Sequence, residues 1–169
     1  MGRTSDVNSK GVSLLVSVLL RYPEVGSVDF NPADQTLKFT FLFHQTPSRK
    51  CIRQVTALLR DSLRVMHQLE NHRPRIIHVE SVEDSQLTVL SVLRDVATLS
   101  QSEIFLVVNI LREHCRELLV SDQQEVMLEE DMMVQEEIIA EMLEDVRRSQ
   151  QHHNLTAFRE DGRVVVFNK

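Results

Sequence analysis

The chain is 169 residues long, 42% apolar and 26% charged, and carries a formal net charge of −6. This length and composition are typical of a single globular domain, which we expect to span residues 1–169. The net acidity argues against a general affinity for nucleic acid, although a local basic patch could still bind phosphate.

The sequence also bears on membranes and compartment. No stretch approaches the ~18 apolar residues that a membrane helix needs, so we expect no membrane contact. The apolar run Gly11–Leu20 could pass for a signal-peptide core, but Asp6 precedes it and no small-residue cleavage site follows. Cys51 and Cys115 fall on separate predicted helices and form no CxxC motif, which indicates reduced thiols. These features predict a cytoplasmic protein.

The N-terminal part predicts a helix and a β-hairpin. Residues 1–10 are polar and predicted to be flexible, and a helix follows over residues 11–21 until Pro23 ends it. Its core-facing residues recur at helical spacing: Leu14, Leu15, Val18, Leu19 and Tyr22. Strands at Ser27–Phe30 and Thr36–Phe43 flank a turn-forming segment. The second strand places alternate residues on its core face: Leu37, Phe39, Phe41 and Phe43.

The middle of the chain predicts a second helix and a second hairpin. The helix opens at Thr46-Pro47-Ser48 and runs to about Glu70. Its apolar stripe consists of Ile52, Val55, Leu59, Leu63, Met66 and Leu69. The hairpin pairs Arg75–Ser81 with Gln86–Leu93 across a turn at residues 82–85.

Ser100 and Glu103 predict a capping box at the start of a third helix, which runs to about Val120. In such a box the Ser100 hydroxyl accepts from the Glu103 amide, and the Glu103 side chain bonds back to the Ser100 amide. A long acidic helix is predicted next, from Asp122 to about Ser149, and residues 122–145 contain ten carboxylates but no Lys or Arg. One seam of it is apolar at helical spacing: Leu128, Met132, Ile139, Met142 and Val146.

A third hairpin, Leu155–Arg159 with Arg163–Phe167, closes the chain around an Asp-Gly turn. The predicted element order is therefore α-ββ-α-ββ-α-α-ββ. Because no parallel crossover is required, we expect an α+β fold: a mainly antiparallel sheet of three hairpins covered by helices.

The acidic helix has three interpretations. Its seam packs in the chain's own core, or it contacts a second copy or another protein, or its carboxylates bind metal. Burying five large apolar side chains gains roughly 7–15 kcal/mol gross, and the stripe is broader than a coiled-coil seam, so own-core packing is favoured over an interface. Di-iron sites use Glu-x-x-His pairs, which the sequence lacks, and the His114 and His152-His153 spacings suit no zinc site, so we expect no metal.

A basic face is predicted on the second helix, where Arg49, Arg53, Arg60, Arg64 and His67 recur at helical spacing. Segment 49–75 holds seven Lys or Arg against two acids. This face is the candidate binding surface for phosphate or for a partner's acids. The simpler interpretation is solvated arginines, or arginines that face the acidic helix within one chain or between two.

Catalytic motifs are not recognisable in the sequence, which has no GxSxG, GxxxxGK[ST], GxGxxG or HExxH pattern. Arg94-Asp95 at a strand end and Arg159 opposite Arg163 are polar groups to which no chemistry can be assigned. We therefore assign no catalytic residues and no cofactor, and an enzyme whose site the sequence does not reveal stays a third hypothesis.

The leading hypothesis is a small, cytoplasmic, non-catalytic protein that acts through contacts with itself, as a homodimer, or with another protein. The polarised charge and the Met-rich seam favour it, since methionine adapts to varied surfaces. The alternative is a nucleic-acid or phosphate-ligand binding module that uses the Arg49–Arg64 face.

Overall fold

A computed structural model describes residues 2–44, 49–121 and 128–168, with side chains from Lys10 onwards. Within these ranges the elements are α1 (Gly2–Arg21), β1 (Ser27–Asn31), β2 (Thr36–Phe43), α2 (Arg49–Leu69), β3 (Ile77–Asp84), β4 (Leu87–Asp95), α3 (Gln101–Cys115), α4 (Glu129–Arg148), β5 (Leu155–Glu160) and β6 (Arg163–Asn168). The predicted α+β class is confirmed, and the predicted order of elements agrees with the structure although several bounds differ.

The strands form one antiparallel sheet in the order β3-β4-β2-β1-β5-β6. β1 lies near its centre, where Val28 pairs with Phe39 of β2 on one side and with Ala157 of β5 on the other. The turn of the third hairpin has positive φ at Asp161 (51°) and Gly162 (77°), as a two-residue hairpin turn requires. The second hairpin turns at residues 85–86, so the longer predicted turn at residues 82–85 is wrong.

The helices cover the sheet face that the alternation in β2 predicts. Four β2 side chains on that face are buried: Leu37, Phe39, Phe41 and Phe43. On the opposite face Lys38 is exposed, and Thr40 and Leu42 are half-buried. All five predicted core residues of α1, from Leu14 to Tyr22, belong to the same hydrophobic cluster.

α1 starts at Gly2, so the predicted start at residue 11 is wrong. Gly11 lies inside the helix rather than before it. A Cβ atom there would come within 2.9 Å of Leu155 Cδ1 and 3.3 Å of Gln151 Oε1. The glycine therefore lets α1 approach the start of β5 closely, which outweighs its low helix propensity.

α4 starts at Glu129, because Leu128 before it is extended with φ −65° and ψ 144°. A helix that continues through Leu128 is therefore wrong, and the predicted start at Asp122 lies outside the described ranges, as do all residues from 122 to 127. The predicted helix opening at Thr46-Pro47-Ser48 lies outside them too. Among the described helices, none combines the length and apolar character needed to cross a bilayer.

Candidate functional site

Four ionisable side chains lie together beneath the helices at the end of β4: His67, Arg94, Asp95 and Glu103. Each is at most 2% exposed. They come from α2, β4 and α3, so this buried charge cluster joins two helices to the sheet. Buried charges are costly unless they are paired and hydrogen-bonded, so the partners decide whether such a cluster is stable.

Arg94 is the centre of the buried charge cluster. Its Nε donates to Glu103 Oε2 at 2.5 Å and its Nη2 to Glu103 Oε1 at 3.0 Å, which makes a bidentate pair. Its Nη1 donates to the Ile76 carbonyl at 2.6 Å and to Asp95 Oδ1 at 2.5 Å. Nη2 also donates to Thr98 Oγ1 at 2.9 Å. Every guanidinium nitrogen therefore has an acceptor.

His67 donates to the same carboxylate, with its Nε2 2.5 Å from Glu103 Oε1. A carboxylate oxygen only accepts hydrogen bonds, so Nε2 carries a proton. The 2.9 Å approach of Arg94 Nη2 to that nitrogen is then a contact between two donors. Nδ1 of His67 is buried and has no hydrogen-bond partner among the residues that the structure describes.

The predicted capping box at α3 is only half correct. Ser100 Oγ accepts from the Glu103 amide at 3.2 Å, as predicted. The Glu103 carboxylate, however, turns inward to Arg94 and His67, so the predicted bond back to the Ser100 amide is wrong. Two charge-assisted hydrogen bonds outweigh one exposed capping bond.

Asp95 links β4 to the start of β3. Its carboxylate accepts hydrogen bonds from the Ile76 amide at 3.0 Å and from Thr98 Oγ1 at 2.7 Å, in addition to Arg94. Burial alone would raise the pKa of Asp95. The hydrogen bonds and the Arg94 charge outweigh burial and lower this pKa below its ordinary value. The ionised form is therefore the one that the fold stabilises.

The buried charge cluster is shielded from solvent. The cavity beside it, between Phe39, Val92 and Ile104, has a volume of about 10 Å³, which is the size of one water molecule. Such a space does not admit a substrate. What the cluster can do chemically is hold α2 and α3 at fixed positions on β4.

The arginines of the predicted basic face are exposed: Arg49, Arg53, Arg60 and Arg64. Arg60 Nη2 also donates to the Val79 carbonyl at 2.8 Å, which ties α2 to β3. His67 was predicted on this face but is buried, because the last turn of α2 lies against α3 and the His67 ring meets the side chains of Glu103 and Arg94. Leu69 was predicted in the core but is 80% exposed, because α2 ends there.

The apolar seam of α4 divides into two parts. Ile139 and Val146 are fully buried in the chain's own core, and Met142 is half-buried with its Sδ 3.6 Å from Ser17 Oγ. Ile139 and Val146 are therefore not available to a partner, which corrects their assignment to a candidate interface. Leu128 is 70% exposed, and Met132 and Met142 are half-buried, so these three residues are the part of the seam that remains accessible.

The carboxylates of α4 do not face α2 within one chain, which corrects that part of the prediction. In the described ranges α4 contacts α1 and α3 but not α2. Glu136 Oε1 pairs instead with Arg21 Nη2 at 2.7 Å, and Glu144 pairs with Arg147 and Arg148. α4 has eight acids against two arginines, whereas α2 has five Lys or Arg against one Asp.

Exposed apolar side chains accompany the charges on both helices, and each is at least 36% exposed. On α2 they are Leu58, Val65 and Leu69, and on α4 they are Met133, Val134 and Ile138. On α4 these side chains lie among the carboxylates, whereas on α2 they lie about 140° around the helix axis from Arg53, Arg60 and Arg64, at about 100° per residue.

Sequence reasoning missed the buried charge cluster although part of its signal is present. Arg94 continues the inward alternation of β4, whose preceding core-facing residues are Thr88, Leu90 and Val92. A charged residue at a core-facing position needs a buried partner, and Glu103 lies one helical turn before Val107 on the buried side of α3. His67 gave no such signal, because it shares a helical face with exposed arginines.

Comparison with known proteins adds no functional information. No protein-family model matches the chain, and neither a curated protein nor a solved structure is significantly similar to it. Functional conclusions therefore rest on the residues of the chain itself.

Proposed function

We propose that this is a cytoplasmic, non-catalytic protein that acts through protein contacts and assembles as a homodimer. One observation carries the proposal: α2 and α4 are not in contact within the described chain, although α2 is basic and α4 is acidic. In the dimer, α2 of one copy meets α4 of the second. A two-fold axis makes the same contact twice.

The composition of the two faces suits such a contact. Leu58 and Val65 of α2 would pack on Val134 and Ile138 of α4 and form an apolar centre. Arg53 lies about 140° around α2 from Leu58 at about 100° per residue, so it would lie outside that centre, at the far rim against the carboxylates of α4. Apolar centres with charged rims are typical of protein interfaces, and the rim charges mainly set partner choice and association rate.

The test is the mass of the protein in solution, measured by light scattering at tens of micromolar. We expect a dimer at low salt and partial dissociation as salt is raised, because the Debye length falls from about 10 Å at 0.1 M to about 3 Å at 1 M. A protein that stays strictly monomeric at low salt would overturn the proposal.

Charge-reversal variants test whether the dimer contact is formed by α2 of one copy and α4 of the other. The α2 double variant, Arg53→Glu with Arg64→Glu, should be a monomer. The control double variant, Lys10→Glu with Lys38→Glu, changes the net charge by the same amount at exposed positions outside α2 and should remain a dimer. Mixing the α2 variant with an α4 variant, Glu137→Lys with Glu141→Lys, should restore a mixed dimer. Dissociation by the control pair, or no restoration on mixing, would contradict the α2–α4 contact.

A nucleic-acid or phosphate-ligand binding module is the second candidate. It is favoured by the exposure of Arg49, Arg53 and Arg64 on one helical face with no ion pair among the described residues. Anisotropy of a labelled single-stranded RNA should then rise on binding and fall steeply with salt. The α4 variant would not restore this binding to the α2 variant, which separates the two candidates. No binding at low salt would remove the second one.

A further inference from the structure

α2 ends in a turn that folds His72 back onto the last turn of the helix. Asn71 has φ 57°, a left-handed conformation that asparagine tolerates. The His72 amide donates to the His67 carbonyl at 2.9 Å, and the Asn71 amide to the Gln68 carbonyl at 3.3 Å. These two bonds define a Schellman motif, in which the residues at the positions of His67 and His72 commonly make an apolar contact. Here the contact joins two imidazoles, whose ring centroids are 5.9 Å apart.

Glu70 lies in the same turn and completes a set of three metal-ligating side chains. One ligand atom each of His67, Glu70 and His72 lies within 4.8 Å of the other two. His72 Nδ1 is already 3.4 Å from Glu70 Oε2. Ligand atoms of a tetrahedral zinc site are about 3.4 Å apart when the metal–ligand bonds are about 2.0–2.1 Å. Because Glu70 and His72 are exposed, rotation of their side chains can close the remaining distance.

His67 supplies the independent observation that points to a ligand. Its Nε2 donates to Glu103, so the nitrogen left to bind a metal is Nδ1, which is buried without a hydrogen-bond partner in the described part of the chain. Metal-bound histidines usually donate their other ring N–H to a carboxylate, a backbone carbonyl or a water, which fixes the tautomer and makes the ligand more basic. Glu103, itself held by Arg94, already occupies that position.

The local charge also suits a cation. The buried charge cluster holds two carboxylates, Asp95 and Glu103, against one guanidinium, Arg94. Glu70 adds a further negative charge at its edge. A divalent cation between the two imidazoles would offset this excess.

We propose that His67 Nδ1, His72 and Glu70 bind a divalent transition-metal ion such as zinc, with a fourth position left for water or a ligand group. Imidazole with one carboxylate suits zinc and its neighbours, whereas calcium and magnesium prefer oxygen ligands. The Schellman motif completes the site, because His67 and Glu70 share a helix face, whereas His72, five residues after His67, would lie about 140° away in a continuous helix. The site does not depend on the α2–α4 contact.

Zinc titration of the chelator-treated full chain, in competition with a chromogenic chelator, tests the site. We expect one equivalent to bind, and His72→Ala and Glu70→Gln should each weaken binding by at least about ten-fold. His78→Ala is the matched control, because His78 lies in an exposed pair with Glu80, at 3.2 Å, outside this turn. Absence of one-to-one binding, or equal losses for His72→Ala and His78→Ala, would overturn the proposal.

Nitrogen NMR of the imidazoles identifies the ligand atom in the unsubstituted chain, so the result does not depend on whether a variant folds. Zinc should shift the Nδ1 resonance of His67, while Nε2 keeps its proton because Glu103 still accepts from it. A zinc-dependent shift confined to other histidines would show adventitious surface binding and would overturn the site.

Discussion

Arg94 shows how one buried side chain can organise its surroundings. Its guanidinium donates to groups from α3, from the segment before β3 and from the loop after β4, and it is fully buried. Its removal would leave Glu103 and Asp95 as carboxylates without their main counter-charge. An unpaired buried charge costs far more than the pair itself contributes.

We therefore expect Arg94→Ala to lower the free energy of unfolding by about 3–5 kcal/mol, measured by urea denaturation. Arg163→Ala removes an exposed arginine and should change it by less than about 0.5 kcal/mol. A loss below about 1 kcal/mol for Arg94→Ala would show that the cluster contributes little to stability.

The lowered pKa of Asp95 predicts that the protein loses stability in acid. Its folded pKa is below the ordinary 3.8, so its contribution is complete above that pH, where the carboxylate is ionised in the folded and unfolded states. The contribution is lost as the pH falls from there through the folded pKa, because the unfolded state then binds the proton more tightly. Urea midpoints between pH 2 and pH 6 should fall less steeply for Asp95→Asn than for the unsubstituted chain. Asp84→Asn, at an exposed strand end, should leave the slope unchanged.

The raised pKa of Tyr22 predicts a loss of stability at alkaline pH. Burial, opposed in part by the Arg21 charge, raises the pKa of Tyr22 from 10.0 to about 12, while its hydroxyl accepts from Gln101 Nε2 at 2.5 Å. Its contribution to stability is complete below pH 10 and is lost between pH 10 and pH 12, since only the unfolded tyrosine ionises readily there. Tyr22→Phe should flatten unfolding free energies over that range. An unchanged alkaline slope would contradict this assignment.

At the scale of elements, short-range sequence signals place the turns well. The Asp161-Gly162 pair predicted the third hairpin, and the positive φ of both residues confirms the reason. The bounds of α1 and α4 were less predictable. Gly11 reads as a possible helix start, and only its contact with β5 explains why the helix continues through it.

The third hairpin allows a test of backbone strain alone. A Cβ at Gly162 would meet no atom within 4 Å, so Gly162→Ala adds only the strain of a left-handed alanine. We expect about 1–2 kcal/mol of destabilisation from thermal or urea unfolding. Gly162→Asn is the control and should cost less, because asparagine tolerates that conformation. Equal losses would indicate that φ does not limit this turn.

At the scale of the whole molecule, the sheet joins the two ends of the chain. β5 pairs with β1, and Leu155 and Ala157 are buried in the same core as α1. Such distant pairing has a high entropic cost that the packed core must offset. The third hairpin is therefore part of the core rather than an appendage.

A chain that ends at Ser149 lacks β5 and β6, and we expect it to lose cooperative unfolding in urea. In this shorter chain, the apolar core residues that pack against β5 would lose that contact. A chain that ends at Glu160 keeps β5 and loses only the edge strand, so it should remain cooperative although less stable. Cooperative unfolding of the shorter chain would show that the first four strands form a stable core alone.

The sequence by itself determined the α+β class, the hairpins and the buried faces of α1 and β2. These features follow from periods of 3.6 and 2 residues, which local backbone geometry imposes on any chain. Only the tertiary structure decided the strand order, the burial of His67 and the separation of α4 from α2. Each depends on which distant surface covers a residue: His67 and Arg64 share a helical face, yet α3 covers only His67. Long-range packing makes that choice, and it places His67 beside both Glu103 and His72.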